Sequence, residues 1–376
     1  MKKKIICAFL CVAIFCSFAP RVSAQMSVSA LSCVLIDADT KAVLFEKNAE
    51  QKLAMASTTK IMTALLALES GNVNEIFTVD PYAIKAEGTS MGLCEGDKVS
   101  LKTLSAGMLL LSGNDAANAA AVKISGSIKE FCNKMNERAK EIGMENTNFS
   151  TPSGLDLENH YSTAYDMALL GAEAIKNEQF LEICSKEKMS VSYKEPLKTF
   201  TFYNHNRLLS SVEGCIGVKT GFTKKAGRCL VSAVRRNGRT LVCVTLKAPN
   251  DWQDHKNLYE YGFSLYKETE IDLSQNLELP IVNSYKDSVR LESREKPKIY
   301  VRNGEKVNVR VYTGPFEYAP VYKGDIVGSA ALEIDSNEVF KTELISTESA
   351  HLKQMKNEKS YTLLQRILDW IKGLFR

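Results

Sequence analysis

The chain has 376 residues, with 48 basic and 44 acidic side chains, a formal net charge of +4 and 45% hydrophobic residues. This near balance lacks the basic excess typical of nucleic-acid-binding proteins, so we expect no nucleic acid as a partner. The length exceeds the usual size of one domain, about 100 to 200 residues, so we expect two domains.

The N-terminal segment has the pattern of a secretory signal peptide. Lysines at positions 2 to 4 precede an apolar run over residues 5–18, and Val22-Ser23-Ala24 predicts cleavage before Gln25. The apolar run is too short for a membrane-spanning helix, and no later stretch approaches the required length. We therefore predict that residues 1–24 are a signal peptide and that the rest is exported. The exported chain has zero formal charge, because the leader carries four basic and no acidic residues.

Cysteine and histidine patterns bear on metals and redox chemistry. Seven cysteines remain after residue 24, an odd number with no C-x-x-C pair. This favours mostly buried free thiols over a disulfide framework or a zinc site. The four histidines are scattered and form no H-E-x-x-H motif. We therefore predict no metal and no cofactor, which argues against metal-dependent hydrolysis.

Two hairpins frame the first domain, which we predict over residues 25–265. The segment CVLIDADTKAVLFE (33–46) predicts two strands around a polar turn. The segment RCLVSAVRRNGRTLVCVTLKA (228–248) predicts two strands joined by Asn237-Gly238, a pair suited to a type I′ turn. Between the hairpins, helices are predicted over residues 57–69, 101–111, 115–124, 128–142 and 164–176. This order predicts an α+β domain in which strands from both ends close one antiparallel sheet, packed by helices.

The pattern changes near residue 265. KIYVRNGEKVNVRVY (298–312) and DIVGSAALEI (325–334) alternate apolar with polar residues, which predicts a small all-β domain over residues 266–350.

The tail, TLLQRILDWIKGLFR (362–376), follows a polar stretch and predicts an amphipathic helix. Its apolar face comprises Leu363, Leu364, Ile367, Leu368, Ile371, Leu374 and Phe375. We predict that residues 351–376 are a linker and a helix lying in the membrane surface, which would hold the protein at the outer face of the cytoplasmic membrane. The alternative is a C-terminal helix docked on the protein's own core.

The segment MASTTKIMTALLAL (55–68) places Ser57 and Lys60 three residues apart at the start of an apolar helix. Residues at this spacing share a helix face, so Lys60 can reach the Ser57 hydroxyl. The positive end of the helix dipole favours an alkoxide at Ser57, and both the dipole and burial disfavour a protonated Lys60. The pair therefore suits a nucleophile and its base. Taken alone, S-x-x-K is so common that it favours an ordinary amphipathic helix with a capping serine and a solvated lysine.

Two further motifs follow in order. LLLSGNDAANAA (109–120) places Ser112 and Asn114 at a break between two helices. GVKTGFT (217–223) places Lys219 and Thr220 at the end of a strand. Alone, the first motif suits a helix-capping turn, and the second suits a basic strand end. Together, S-x-x-K, S-x-N and K-T-G are the combination of class A beta-lactamases and penicillin-binding proteins.

Several longer segments resemble the signature segments of D-alanyl-D-alanine carboxypeptidases, the low-molecular-mass penicillin-binding proteins of serine peptidase family S11. They are ASTTKIMTALLALE, LLLSGNDAANAAA, TPSGLDLENHYSTAYDMALL and GVKTGFT. The resemblance covers nearly the whole exported chain and implies a serine beta-lactamase/transpeptidase-like catalytic domain followed by a small all-β domain. Met55 stands where the family often has proline, and Phe222 where some members carry histidine.

The resemblance implies an enzyme that removes the terminal D-alanine of peptidoglycan stem peptides and is inhibited covalently by beta-lactam antibiotics. Ser57 would attack the carbonyl of the penultimate D-alanine, Lys60 would take its proton, and water would hydrolyse the acyl-enzyme. Ser112 would relay a proton to the leaving amine, and Asn114 would bind the peptide amide.

The K-T-G strand completes the implied substrate site. Lys219 and Thr220 would hold the terminal carboxylate of the substrate. The backbone N–H groups of Ser57 and Phe222 would receive the oxyanion. Gly221 lies between these groups, on a strand edge along which an extended peptide can add.

Two alternatives remain from the sequence. A beta-lactamase shares all three motifs, but E-x-x-L-N, which carries the deacylating glutamate of class A enzymes, is missing between Asn114 and Lys219. The nearest match, EQFLEICS (178–185), lacks the asparagine, and 155 residues follow Gly221. The second alternative is a non-catalytic penicillin-binding scaffold or sensor, against which the intact motifs argue.

Overall fold

The computed structural model describes residues 27–274, 276–354 and 363–374. The predicted signal peptide and Phe375 of the tail lie outside these residues. The chain divides into two compact units. Among the described residues, the first unit runs to Ile36 and includes Val43–Val234 and Leu241–Glu260. The second contains Asp37–Ala42, Arg235–Thr240 and the chain from Tyr261 onward.

The first part of the chain, up to residue 264, contains the following strands and helices. The strands are β1 (Ser32–Asp37), β2 (Val43–Lys47), β3 (Phe77–Thr78), β4 (Lys98–Val99), β5 (Lys188–Tyr193), β6 (Lys198–Tyr203), β7 (Cys215–Thr223), β8 (Gly227–Arg236) and β9 (Arg239–Leu246). The helices are α1 (Lys60–Glu69), α2 (Leu101–Ala106), α3 (Asn114–Ser125), α4 (Ile128–Ile142), α5 (Ala164–Ala174), α6 (Glu178–Cys184), α7 (Leu208–Ser211) and α8 (Asp251–Ser264).

A five-stranded sheet in the order β2-β1-β9-β8-β7 organises this part of the chain. Strand β1 lies beside β9, so the predicted closure of one sheet by strands from both ends is confirmed. The turn between β8 and β9 has φ of 51° at Asn237 and 74° at Gly238, the positive values that a type I′ turn requires. Helix α5 packs closely on the sheet at Gly171, where a Cβ would lie 3.0 Å from Val231.

The predicted helices form, with irregular ends at two places that matter below. A 3₁₀ turn, Ala56–Thr59, precedes α1, so Ser57 lies in the turn and not in the α-helix. The helix predicted over residues 101–111 changes after Ala106 to a π-helical turn, Gly107–Leu111, and ends at Ser112 with φ of 66°. The hairpin β5–β6 was not predicted, although Met189, Val191 and Tyr193 alternate with serines in β5 and two phenylalanines alternate with threonines in β6.

The second unit contains the remaining strands and the tail helix. They are β10 (Tyr266–Glu270), β11 (Glu278–Val282), β12 (Ser288–Ser293), β13 (Lys298–Arg302), β14 (Val307–Thr313), β15 (Glu317–Tyr318), β16 (Ile326–Ile334), β17 (Asn337–Ser346) and α9 (Leu363–Leu374).

A six-stranded sheet, in the order β14-β16-β17-β12-β11-β15, forms the centre of the second unit. Alternate residues of its strands, among them Leu279, Val289, Leu332 and Leu344, form one buried apolar cluster. The described residues between 266 and 350 form strands and turns without a helix, as the alternating pattern predicts.

The buried and exposed side chains bear on two earlier expectations. The predicted burial of most thiols is confirmed for Cys33, Cys132, Cys184, Cys229 and Cys243. In contrast, Cys94 is exposed. Within the described part of the chain, no helix has both the length and the apolar character needed to cross a membrane.

Candidate active site

The amine of Lys60 is fully buried beside the Ser57 hydroxyl. Its Nζ lies 3.0 Å from Ser57 Oγ, 2.6 Å from Asn114 Oδ1 and within hydrogen-bond reach of the Ser153 carbonyl oxygen. A neutral amine has two protons and one lone pair. It can donate both protons to Asn114 and Ser153, and its lone pair then faces the Ser57 hydroxyl as a proton acceptor.

Burial sets the protonation state of this amine. Loss of hydration lowers the pKa of Lys60 well below its usual value, the nearby positive charge of Lys219 lowers it further, and Asp115 opposes both effects. A neutral Lys60 at ordinary pH is the state that can accept a proton from Ser57.

Lys219 lies on β7 and is also buried, with 1% of its side chain exposed. Its Nζ donates to the Thr220 carbonyl oxygen at 2.8 Å. Burial lowers the pKa of Lys219 to about 7. The cation predicted to hold a substrate carboxylate therefore lies inside the protein, and its charge acts on Lys60.

Asn114 is the first residue of α3 and is held at both ends of its amide. Its Oδ1 accepts from Lys60, and its Nδ2 donates to the Glu87 carbonyl oxygen at 2.5 Å. Gly88 makes this approach possible, because a Cβ there would lie 2.9 Å from Asn114 Nδ2.

The loop that contacts Asn114 is anchored by the next residue, Asp115, which is fully buried. Its carboxylate accepts from the Ser90 hydroxyl at 2.6 Å and from the backbone N–H groups of Met91, Gly92 and Leu93 at 2.9 to 3.1 Å. A carboxylate with several such donors holds a loop firmly. Asp115 therefore fixes the backbone against which Asn114 rests.

Gly221 lets strand β7 approach the Ser57 backbone. A Cβ at Gly221 would lie 3.0 Å from the backbone nitrogens of Ser57 and Thr58 and 3.1 Å from the Met55 carbonyl oxygen. Any larger residue would push the strand away. The next residue, Phe222, has 67% of its side chain exposed.

A cleft of about 540 Å³ lies beside Ser57. Five of the eight predicted site residues line it, namely Ser57, Ser112, Thr220, Gly221 and Phe222. Lys60 and Asn114 are joined to Ser57 by the contacts above, and Lys219 is close enough to lower the pKa of Lys60. The structure therefore brings the three motifs together.

A second cationic group, which was not predicted from the sequence, lies on the cleft wall. Arg228 donates through Nε and Nη2 to Asp251 Oδ1 at 3.0 and 2.8 Å, and its guanidinium lies 5.3 Å from the centre of the Trp252 ring. All three residues line the cleft, and the Arg228 side chain is 41% exposed. Arg228 lies opposite Phe222 in the pairing of β7 with β8, and this pairing was not predicted.

A buried lysine beside a serine at a helix start, next to an S-x-N turn and a K-T-G strand, defines the class of serine acyl-transfer enzymes to which penicillin-binding proteins belong. The sequence profile of peptidase family S11, D-alanyl-D-alanine carboxypeptidase, matches residues 19–250. The chain belongs to this family.

Relatives extend the match to most of the chain. D-alanyl-D-alanine carboxypeptidase DacF of Bacillus subtilis is 33% identical over 93% of this chain and 92% of its own length. The solved DacD carboxypeptidase of Francisella tularensis has 26% identity and a TM-score of 0.61 over 88% of this chain and 95% of its own. Penicillin-binding protein 5 of Haemophilus influenzae has 28% identity and the same TM-score over 87% and 99%. The predicted transpeptidase-like fold is confirmed.

Proposed function

We propose that the protein is a serine-type D-Ala-D-Ala carboxypeptidase that removes the terminal D-alanine from peptidoglycan stem pentapeptides. The observation that carries this proposal is the buried Lys60 amine, 3.0 Å from Ser57 Oγ, with two other oxygens available for its own protons. The family and its named carboxypeptidase relatives supply the substrate class.

In the acylation step, the Ser57 oxygen bonds to the carbonyl carbon of the penultimate D-alanine, and Lys60 takes the hydroxyl proton. The oxyanion lies between the backbone N–H groups of Ser57 and Phe222, and Gly221, the residue before Phe222, lies close to the Ser57 nitrogen. The bond to the terminal D-alanine breaks, and its amine leaves with a proton relayed by Ser112. Water then hydrolyses the ester at Ser57.

The alternatives gain less support. The EQFLEICS segment folds as helix α6. It therefore does not form the glutamate-bearing loop that a class A beta-lactamase needs. A silent scaffold would have no use for a lysine held neutral against Ser57. We assign the chemistry to residues 25–265, with a β-rich domain over 266–350.

We expect a fluorescent penicillin to label the protein covalently at Ser57, because the beta-lactam amide occupies the place of the D-Ala-D-Ala bond. Ser57→Ala should abolish labelling and also the release of D-alanine from a peptide ending in D-Ala-D-Ala. Both are read by gel fluorescence and a D-alanine assay. Labelling that persists in Ser57→Ala would assign the nucleophile elsewhere.

We propose that Arg228, together with Thr220, binds the terminal carboxylate of the substrate. Side chains alternate along a strand, so Thr220, Phe222 and the cross-strand Arg228 share one face of the sheet. Lys219 points to the opposite face, where it is buried. Asp251 and Trp252 hold the Arg228 guanidinium in place, and a planar guanidinium suits bidentate binding of a carboxylate.

Arg228→Gln should lower kcat/KM for a peptide with a free terminal carboxylate by about 10- to 100-fold, the cost of a lost charged hydrogen bond. The kcat/KM for the C-terminal carboxamide of the same peptide should fall much less, so the variant should discriminate poorly between the carboxylate and the carboxamide. Arg207→Gln, which removes an exposed arginine from the same cleft, is the matched control. Loss of discrimination in Arg207→Gln alone would move the carboxylate site to that residue.

We propose that the tail helix holds the enzyme at the outer face of the membrane. None of the residues of α9 is buried, and its apolar side chains are 41% to 78% exposed. This exposure favours an anchor over the alternative of a helix docked on the protein's own core. An amphipathic helix with basic residues at its edges gains from burial in the interface and from anionic headgroups.

Leu364→Glu combined with Ile371→Glu should release the protein from anionic vesicles. Loss of two buried apolar side chains costs about 3 kcal/mol or more, over about 100-fold in partitioning. Gln365→Glu with Gly373→Glu adds the same charge away from the apolar face and is the matched control. Vesicle flotation measures binding, and D-alanine release from a soluble peptide should stay unchanged. Equal release of both variants would contradict insertion of the apolar face.

A further inference from the structure

Ala56, which precedes the nucleophile, has an unusual backbone. Its φ is +48°, in the left-handed region that residues with a Cβ rarely adopt. Such a conformation is strained and persists only where the surroundings hold it. The Ala56 carbonyl and the Ser57 N–H belong to one peptide group, so the orientation of this carbonyl also sets the direction of the proposed oxyanion donor.

The hydrogen bonds around Ala56 lead to a buried histidine. The Thr59 hydroxyl lies 2.8 Å from the Ala56 carbonyl oxygen and 2.8 Å from His160 Nε2. On the other side of the ring, the Ser150 backbone N–H donates to His160 Nδ1 at 3.1 Å. Thr59 and His160 are 0% and 4% exposed.

The directions of these bonds follow from the ring. Because Nδ1 accepts from a backbone N–H, the proton of the neutral imidazole lies on Nε2. Nε2 therefore donates to the Thr59 oxygen, and the Thr59 hydroxyl proton is free to donate to the Ala56 carbonyl. Burial and the neighbouring Lys60 lower the pKa of His160 to about 4, so the ring is neutral at ordinary pH.

The backbone opposite Ala56 is shaped for this arrangement. A Cβ at Gly154 would lie 2.0 Å from the Ala56 carbonyl oxygen, so only glycine leaves room for it. The same segment contributes the Ser153 carbonyl that contacts Lys60. Residues 150–160 thus support both the base and the peptide group of the nucleophile.

We propose that His160 is a positioning residue for acylation, which through Thr59 holds the Ala56 carbonyl and so aims the Ser57 N–H at the oxyanion. This inference rests on the proposed acyl transfer at Ser57. A hydrogen bond to the carbonyl end of a peptide also polarises its N–H, which strengthens the oxyanion contact.

Thr59→Val removes the relaying hydroxyl with little change of shape, and His160→Leu removes its donor. Each should slow acylation by a fluorescent penicillin by about 10- to 100-fold, the range expected for a misplaced or weakened oxyanion donor. Non-covalent binding before acylation should stay near the wild-type affinity. The double variant should acylate no more slowly than the slower single variant, because both changes break the same chain of hydrogen bonds.

The infrared carbonyl stretch of the penicilloyl-enzyme separates positioning from general stability. It should move to higher wavenumber in Thr59→Val, because its oxyanion hydrogen bonds weaken, and Thr59→Ser should restore it. Thr63→Val is the matched control: this buried threonine on α1 donates to the Pro152 carbonyl oxygen at 2.6 Å, outside the His160 chain. Thr63→Val should keep the wild-type stretch and rate even if it unfolds more easily.

If the wild type is active and Thr59→Val has the same acylation rate and carbonyl stretch, the positioning role of His160 is overturned and the proposed function stands. Equal slowing in Thr63→Val, or additive effects of Thr59→Val and His160→Leu, would overturn the positioning role as well. A wild type that forms no acyl-enzyme would contradict the proposed function and with it this inference.

Discussion

The contact between the Lys60 amine and the Ser57 hydroxyl sets the conditions for the rest of the site. An isolated ammonium in a protein interior costs several kcal/mol, so the buried lysine exists most easily as a neutral amine. Its two protons need acceptors, and Asn114 and Ser153 provide them. The remaining lone pair faces Ser57. Because burial disfavours the charged amine, Lys60 is left able to accept the Ser57 proton.

The elements around this pair are arranged to keep that geometry. Asp115 anchors the loop on which Asn114 rests, and Gly221 lets the K-T-G strand reach the Ser57 backbone. On the far side, Gly154 makes room for the Ala56 carbonyl. Lys219 contributes a second positive charge that disfavours a protonated Lys60. Catalysis by acyl transfer benefits from such fixed groups, since they need not reorganise as the reaction proceeds.

Much of this arrangement could be predicted from local sequence. The three-residue spacing predicted the contact between Lys60 and Ser57, although Ser57 lies in a 3₁₀ turn and not in the predicted α-helix. Asn237-Gly238 predicted the second hairpin, and both predictions depend on residues close in the chain. The three motifs indicated the site through resemblance. Contacts across long sequence distances were not predicted. The hydrogen bond between His160 and Thr59 joins residues 101 apart in sequence. The contact between Arg228 and Asp251 requires that α8 packs beside the sheet. The burial of Lys219 likewise depends on tertiary packing.

Acyl transfer at this site requires that Lys60 is neutral and accepts the Ser57 proton. This requirement is tested by the rate of penicillin acylation in the wild type and in Lys60→Arg, measured from about pH 5 to about pH 10. The range begins near the usual pKa of a carboxylate and extends beyond that of histidine. Because burial lowers the pKa of Lys60, the wild type should acylate fast at neutral pH and slow in acid as the amine becomes protonated. Lys60→Arg stays charged and should be slow throughout. Near-normal acylation by Lys60→Arg, or a wild-type rate that rises only near the ordinary lysine pKa of 10.5, would contradict a neutral Lys60 as the base.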